Sequence, residues 1–247
     1  MAKLLEDLLN RVVGDEVIFM FGTSGHAREL SELVSVGYSS RGINSNAVVV
    51  HVDKEISEVL PQYKKVSSLR VVSESDFIEF LRKSKELYGT ERKYNVILGI
   101  GSPKVRSRLV SLLARLPVVF PNLIGPWARY PNSEKHKYID PRGLVMAPNC
   151  TLTTGISLGK HVHLNTGCIV CHDAGIGDFS IIGPGAIVCG NVTMGSRCYI
   201  GAGVTIRDGV SLADDVTLGA GSVVVNNIIN SGTYIGCPAK YFKEGSL

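Results

Sequence analysis

At 247 residues the chain is long enough to bury two separate cores. Hydrophobic residues make up 45% and charged residues 19%, which excludes a disordered polymer. The net charge of +4 comes without a basic block, so nucleic acid is not an expected partner. No apolar run approaches the roughly 20 residues that cross a bilayer, so no membrane insertion is expected. The segment Leu4–Val13 carries Glu6 and Asp7 and lacks a cleavage pattern. It reads as a short amphipathic helix rather than a signal peptide, and the expected compartment is the cytoplasm.

From Glu16 the chain reads Val-Ile-Phe-Met-Phe, then Gly22-Thr23-Ser24-Gly25-His26-Ala27, then a helical pattern through Leu30, Leu33 and Val34. This is a strand, a glycine turn and a helix whose first N–H groups could meet a phosphate. The third glycine of G-x-G-x-x-G is missing, so the turn is no dinucleotide fingerprint. A second strand at 47–52 is closed by Asp53, placed to accept hydrogen bonds from a ribose or base, or simply to be solvated. Residues 54–74 read as irregular. Ser75 is the expected cap of a helix through Phe77, Phe80 and Leu81, with Glu79 and Lys83 at supportive spacing.

Residues 95–100 form a third expected strand, followed by Gly101-Ser102-Pro103 and a helix bearing Val105, Arg106, Leu109 and Leu113. A short strand at 118–120 closes the series. Alternating strands and helices imply a small parallel, Rossmann-like sheet, with glycine turns at the strand ends where such sheets bind ligands. Residues 121–145 contain four prolines and a mixed charge run at Glu134–Lys137, and read as a connection. The expected division is an α/β domain over 1–125, a connection over 126–145 and a second domain over 146–247.

That second domain shows a different period. From Leu152, every sixth residue through Val224 is Leu, Ile, Val or, once, Met194. Neither a helix nor a strand repeats in sixes. The residue two places earlier is small or β-branched throughout, as at Cys150, Cys168, Ala174, Ala186 and Cys198. The residue one place later is often glycine, as at Gly159, Gly177, Gly183, Gly195, Gly201 and Gly219, read here as freedom at turns. This is the hexapeptide pattern of a left-handed parallel β-helix, in which three six-residue units close one triangular coil and stacked coils build a core. A capping tail follows Val224.

The same frame disposes of Cys168-Ile-Val-Cys171-His172, which spells a haem attachment motif. Cys168 falls in the inward column, and Cys150 and Cys189 lie one coil from Cys168 and Cys171. All four read as small buried residues chosen for size.

Glycine turn, hexapeptide coil and the pair His172-Asp173 together resemble the sialic-acid O-acetyltransferase (NeuD) family. The nearest branch is its nucleotide-amino-sugar N-acetyltransferases of the PglD type. The matching stretches are Gly22–Ala27, Gly99–Arg106, Leu164-Asn165-Thr166, His172–Ser180, Leu212–Asp215 and Gly236–Lys240. The resemblance implies an α/β domain that binds a nucleotide sugar, with Ser24, Gly25 and His26 on the sugar and phosphates, Asp53 on the base and Gly101 at the edge of the site. It implies His172 as general base, Asp173 as the carboxylate that raises its basicity, and Asn165 in support. It implies acetyl-CoA as co-substrate, held near Ile181, Ala202 and Ala220 between neighbouring subunits of a homotrimer, with no metal.

The chemistry fits those residue types. An amine attacking a thioester must lose a proton, and imidazole with a neighbouring carboxylate is suited to take it. Two departures stand out. Ile181 occupies a position where the family usually has a second histidine near the acetyl-CoA, and Ile124-Gly125 replaces Ile-His before the connection. Three rival readings remain: O-acetylation of sialic acid or another sugar, a zinc enzyme of the γ-carbonic anhydrase type using His161, His163 and His172, and a non-catalytic nucleotide-sugar-binding protein.

Overall fold

A computed structural model describes residues 17–35, 48–54, 70–88, 92–129 and 142–244. The segment Leu4–Val13 lies outside the described residues. Contacts divide the chain into two units, residues 1–101 with 108–121, and residues 102–107 with 122–247.

The first unit is built from β1 (Val17–Phe21), α1 (Gly25–Ser35), β2 (Val48–Asp53), β3 (Arg70–Ser73), α2 (Glu74–Tyr88), β4 (Tyr94–Leu98), the second half of α3 (Pro103–Leu113) and β5 (Val118–Val119). The sheet runs in the order β3-β2-β1-β4-β5, and every pairing is parallel. β1 lies at its centre, and Ile18, Phe19, Met20 and Phe21 are all buried, which is why the strand reads as a continuous apolar run. Phe77 of α2 packs on Phe19, with ring centroids 4.5 Å apart.

β3 corrects the expectation that residues 54–74 are irregular over its own four residues, while residues 55–69 lie outside the described residues. It is a four-residue edge strand registered on β2, from Val50 opposite Arg70 to Asp53 opposite Ser73. It runs straight into α2, so no turn residue announces it. Ser73 also replaces Ser75 as the cap: its Oγ accepts the Asp76 N–H at 3.1 Å and donates to Asp76 Oδ2 at 2.7 Å.

The second unit is the left-handed β-helix, three parallel sheets forming the sides of a prism. One side stacks Leu164, Ile182, Ile200 and Leu218; the next stacks Leu152, Val170, Val188, Ile206 and Val224; the third stacks Leu158, Ile176, Met194 and Leu212. These residues and the column two places earlier form one buried core. Gly232–Ile235 extends the first side, and Lys240–Lys243 folds back antiparallel on it, closing the end of the stack.

The coil starts earlier than residue 146. Leu123–Ile124 pairs in parallel with Val145–Met146, and Arg129 bridges Thr151. The step from Ile124 to Met146 is 22 residues instead of 18, a spacing that hides the first side from a count in sixes; residues 130–141 lie outside the described residues.

Glycine's role also differs from the expectation. The residues with positive φ sit three places after the aliphatic column, and include Asn149, His161, Asp173, Phe179, Asn191, Arg197 and Asp215 as well as glycines. None of the glycines one place after the aliphatic is among them. Those are small because the next coil is too near: a Cβ on Gly183 would lie 2.6 Å from the Ile200 carbonyl oxygen, and one on Gly177 would lie 2.5 Å from the Gly195 carbonyl carbon. Steric approach, not turn freedom, selects them.

Apart from the exposed Cys237, the cysteines separate into two sets. Cys150, Cys168 and Cys198 are buried free thiols, with Cys168 Sγ 3.7 Å from Cys150 Sγ inside the prism. Cys171 and Cys189 are partly exposed at a corner, so size in the core does not explain them. Cys168 and Cys171 thus face opposite sides of the coil wall, an arrangement that the two thioether links of an attached haem do not allow.

Candidate active site

The expected ligand residues of the α/β unit gather at one edge of its sheet. β1, β2 and β4 are neighbours, and their C-terminal ends carry Gly22–His26, Asp53 and Gly99–Gly101. The sheet order changes direction between β1 and β4, the place where open α/β sheets bind ligands. α1 comes very near this edge: a Cβ on Gly99 would lie 2.7 Å from Ala27 Cβ. Ser24 and Gly25 are exposed at the start of α1, and the Ser24 carbonyl accepts the Arg28 N–H at 3.1 Å. His26 is half-buried, with Nδ1 3.8 Å from Glu29 Oε2. Gly101 is exposed, has no positive φ, and a Cβ there would meet nothing within 4 Å.

Two residues outside the expected set fix this edge. Thr23 Oγ1 donates to Asp53 Oδ2, while Asp53 Oδ1 accepts the Lys54 N–H at 2.7 Å. Both carboxylate oxygens are therefore engaged within the chain. His51 is buried beneath the turn, with Nδ1 2.7 Å from the Gly22 carbonyl and Nε2 3.1 Å from Ser31 Oγ. A carbonyl only accepts, so Nδ1 carries a proton and donates. Burial holds the His51 pKa below the ordinary histidine value, against an opposing contribution from the Gly22 bond. Neither residue carries a sequence signal beyond its place beside the glycine turn and the strand end.

The corners of the prism carry the other candidates. His172 and Asp173 form the corner after Ile169–Val170, with His172 Nδ1 3.0 Å from Asp173 Oδ2. Asp173 has φ of 59°, which turns its carboxylate back beside the preceding imidazole. More than half of each side chain is exposed, so the imidazole is both oriented and reachable. The ionised carboxylate accepts from Nδ1–H, which leaves Nε2 as the basic nitrogen.

Asn165, Ala202 and Ala220 lie at another corner, the one after His163–Leu164, Ile181–Ile182, Tyr199–Ile200 and Val216–Leu218. Asn165 Oδ1 accepts the Thr166 N–H at 2.8 Å. Ala202 and Ala220 are exposed, one coil apart, each flanked by glycines. One whole side of the prism separates this corner from His172, so a single chain does not bring the two groups together. Ile181 belongs to neither corner. It sits mid-side between His163 and Tyr199 and is only 5% exposed.

The three histidines of the zinc reading do not converge. His161 stacks on Phe179 at 5.0 Å, its carbonyl accepts from Arg106 Nη2 at 2.8 Å, and His163 is fully buried. Among the described residues there is no group of three or more His, Cys, Asp or Glu able to hold a metal. No helix among them is long and apolar enough to cross a membrane.

The family model of the bacterial transferase hexapeptide (six repeats) matches residues 173–208 and 191–226. No curated protein sequence matches the chain. Among solved structures, a point variant of perosamine N-acetyltransferase from Caulobacter crescentus, bound to CoA and GDP-perosamine, is similar with a TM-score of 0.74 at 23% identity, over 94% of this chain and 98% of that one. The acetyltransferase domain of PglB from Neisseria gonorrhoeae, in complex with acetyl coenzyme A, gives 0.73 at 24% identity, over 93% and 100%. WeeI from Acinetobacter baumannii gives 0.69 at 23% identity, over 92% and 100%. At these identities the likeness establishes the fold, an α/β unit followed by a hexapeptide β-helix, across almost the whole chain.

Proposed function

We propose that this protein is an acetyltransferase that moves acetyl from acetyl-CoA to the amino group of a nucleotide-linked amino sugar. The observation that carries the reading is the His172–Asp173 pair, an exposed imidazole oriented through Nδ1 at 3.0 Å on a coil corner. Nε2 of His172 takes the proton that the attacking amine loses as its N–C bond forms. The same nitrogen returns a proton to the departing thiolate as the C–S bond breaks. Asp173 holds the tautomer and stabilises the imidazolium between those steps. Two of the structures similar to this chain contain CoA with GDP-perosamine and acetyl coenzyme A, respectively, which supports this pair of substrates.

In this reading the α/β unit binds the nucleotide sugar at Ser24, Gly25, His26 and Gly101. Asp53 shapes the turn through Thr23 as well as facing the base. Acetyl-CoA lies along the small-residue corner of Ala202 and Ala220. Because a full side separates that corner from His172, a complete site takes two copies of the chain: His172 from one, Asn165, Ala202 and Ala220 from its neighbour. That supports a homotrimer with sites between subunits. The finer assignment is to the PglD-like branch of the NeuD family, in the cytoplasm.

The test is thiol release from acetyl-CoA with UDP-, GDP- and dTDP-linked 4-amino sugars, beside His172→Ala. Turnover with one amino sugar is expected, reduced about 10²–10⁴-fold in the variant. Activity on sialic acid alone would move the protein to O-acetylation. A monomer by light scattering at micromolar concentration, or full activity in His172→Ala, would overturn the reading.

A further inference from the structure

Two glycines flank the His172–Asp173 pair, one in the coil before it and one in the coil after. A Cβ built on Gly190 would lie 2.5 Å from His172 Cε1, 2.6 Å from Nε2 and 3.1 Å from Nδ1. A Cβ built on Gly155 would lie 2.3 Å from Asp173 Oδ1. The imidazole thus rests on the following coil and the carboxylate on the preceding one.

The backbone does not demand glycine at either place. Gly190 has no positive φ, and Thr154, His172 and Asp208 hold the same corner position in the other coils with side chains present. Gly155 has φ of 66°, but its counterparts one and two coils on, Asp173 and Asn191, adopt 59° and 57° as non-glycine residues. The adjoining coil backbones are not the main obstacle either: all three nearest atoms at Gly190 belong to the His172 ring, and at Gly155 the Asp173 carboxylate lies closer than the Asp173 backbone nitrogen, which is 3.4 Å away. What requires the missing Cβ is the side-chain pair itself.

We propose that Gly190 and Gly155 are positioning residues: they form a slot that keeps the His172 imidazole and the Asp173 carboxylate in one hydrogen-bonded arrangement. Gly190 sets the ring plane and Gly155 sets the carboxylate. The catalytic consequence rests on the acetyltransferase reading; the slot itself does not.

Gly190→Ala tests it. The ring must swing away from the new methyl group, which breaks the Nδ1–Oδ2 bond. The ¹⁵N shifts of the His172 imidazole in the full-length protein are expected to show protonated Nδ1 in the wild type and a shift toward protonated Nε2 in the variant. The kcat for the amino-sugar acceptor is expected to fall about 10²-fold with little change in KM. In an Asp173→Asn background the same substitution is expected to add little, because the bond it disrupts is already weakened.

A stability measurement guards against a variant that merely unfolds. Gly190→Ala is expected to lower Tm in the wild type and to leave it unchanged in His172→Ala, where the ring is gone. An equal loss of Tm in both backgrounds, or ¹⁵N shifts of the wild-type pattern in Gly190→Ala, would overturn the proposal. Altered ¹⁵N shifts in a protein that turns over no acceptor would uphold the slot while removing the acetyltransferase reading.

Discussion

In the α/β unit, the turn after β1 is held by side chains arriving from elsewhere: His51 under the Gly22 carbonyl and Asp53 on the Thr23 hydroxyl. In the coil, the corner after Ile182 is held by backbone alone. Gly183 N–H donates to the Ile200 carbonyl at 2.7 Å and Gly185 N–H to the Thr166 carbonyl at 2.9 Å, and the pattern recurs one coil later at Gly201 and Gly203. One region depends on a few particular residues. The other depends on a column rule that every coil obeys, so a substitution there is judged by its column.

The sharpest test of that rule is in the core. Ile182 is fully buried between Leu164 and Ile200. Ile182→Ala leaves a void that the rigid coils on either side cannot close, and should cost about 2–5 kcal/mol. Urea unfolding of the full chain measures it. A loss below about 1 kcal/mol, within the range of ordinary surface substitutions, would mean that the stack relaxes and the column rule is soft.

Two glycines two residues apart separate the two reasons for glycine. Gly183→Ala pushes a Cβ against the backbone of Ile200, Gly201 and Ala202, and should destabilise by about 1–3 kcal/mol. Gly185 has φ of 64° and open space around its missing Cβ, while Asn149 holds the corresponding position with φ of 60°. Gly185→Asn should therefore change stability by no more than about 0.5 kcal/mol. Equal losses at the two sites would return the glycines to a common role in turn freedom.

This contrast also explains what the residues disclosed. A period of six, unbroken from Leu152 to Val224, can be met by almost no other architecture, and it located both the inward cysteines and the His172-Asp173 corner. The pairing of Leu123–Ile124 stays hidden because a 22-residue step to its partner breaks the period. β3 stays hidden because four residues at a sheet edge, the last of them already the cap of the next helix, carry neither alternation nor a turn. Thr23 and His51 act through hydrogen bonds across about 20 to 30 residues of chain, which no local pattern encodes. Gly190 lies one 18-residue coil after His172, a position the period of six gives, but the ring it makes room for is seen only in the folded chain.

A smaller effect is expected where a corner of the coil adds an ion-pair clamp. Arg197 reaches to the next coil and grips Asp215 with both ends of its guanidinium, Nε at 3.1 Å and Nη2 at 2.7 Å, with Asp214 Oδ2 also 3.1 Å from Nη2. A third of the Arg197 side chain is exposed, so solvent screens the pair. Arg197→Ala should cost about 1 kcal/mol. Arg197→Lys, which keeps the charge but loses the fork, should recover less than half of it. Full recovery by lysine would show that charge rather than the two-pronged geometry matters at this corner.

The smallest expected effect belongs to the α/β unit and depends on pH. Burial lowers the His51 pKa in the folded protein, while the Gly22 carbonyl and Asp53 oppose the shift without reversing it. The unfolded chain therefore binds more protons than the folded one once the pH drops below the ordinary histidine value of about 6.5. Stability is intact above that value, declines as pH falls from it, and stops declining below the folded pKa. Hydrogen exchange of peptides spanning 17–35 and 48–54 should accordingly show less protection, corrected for intrinsic rates, at pH 5.5 than at pH 7.5. His51→Gln should remove most of that difference, because the amide does not titrate, while leaving coil peptides such as 181–206 unchanged. If the variant keeps the full pH dependence, the titrating group lies elsewhere and His51 is only a fixed support for the glycine turn.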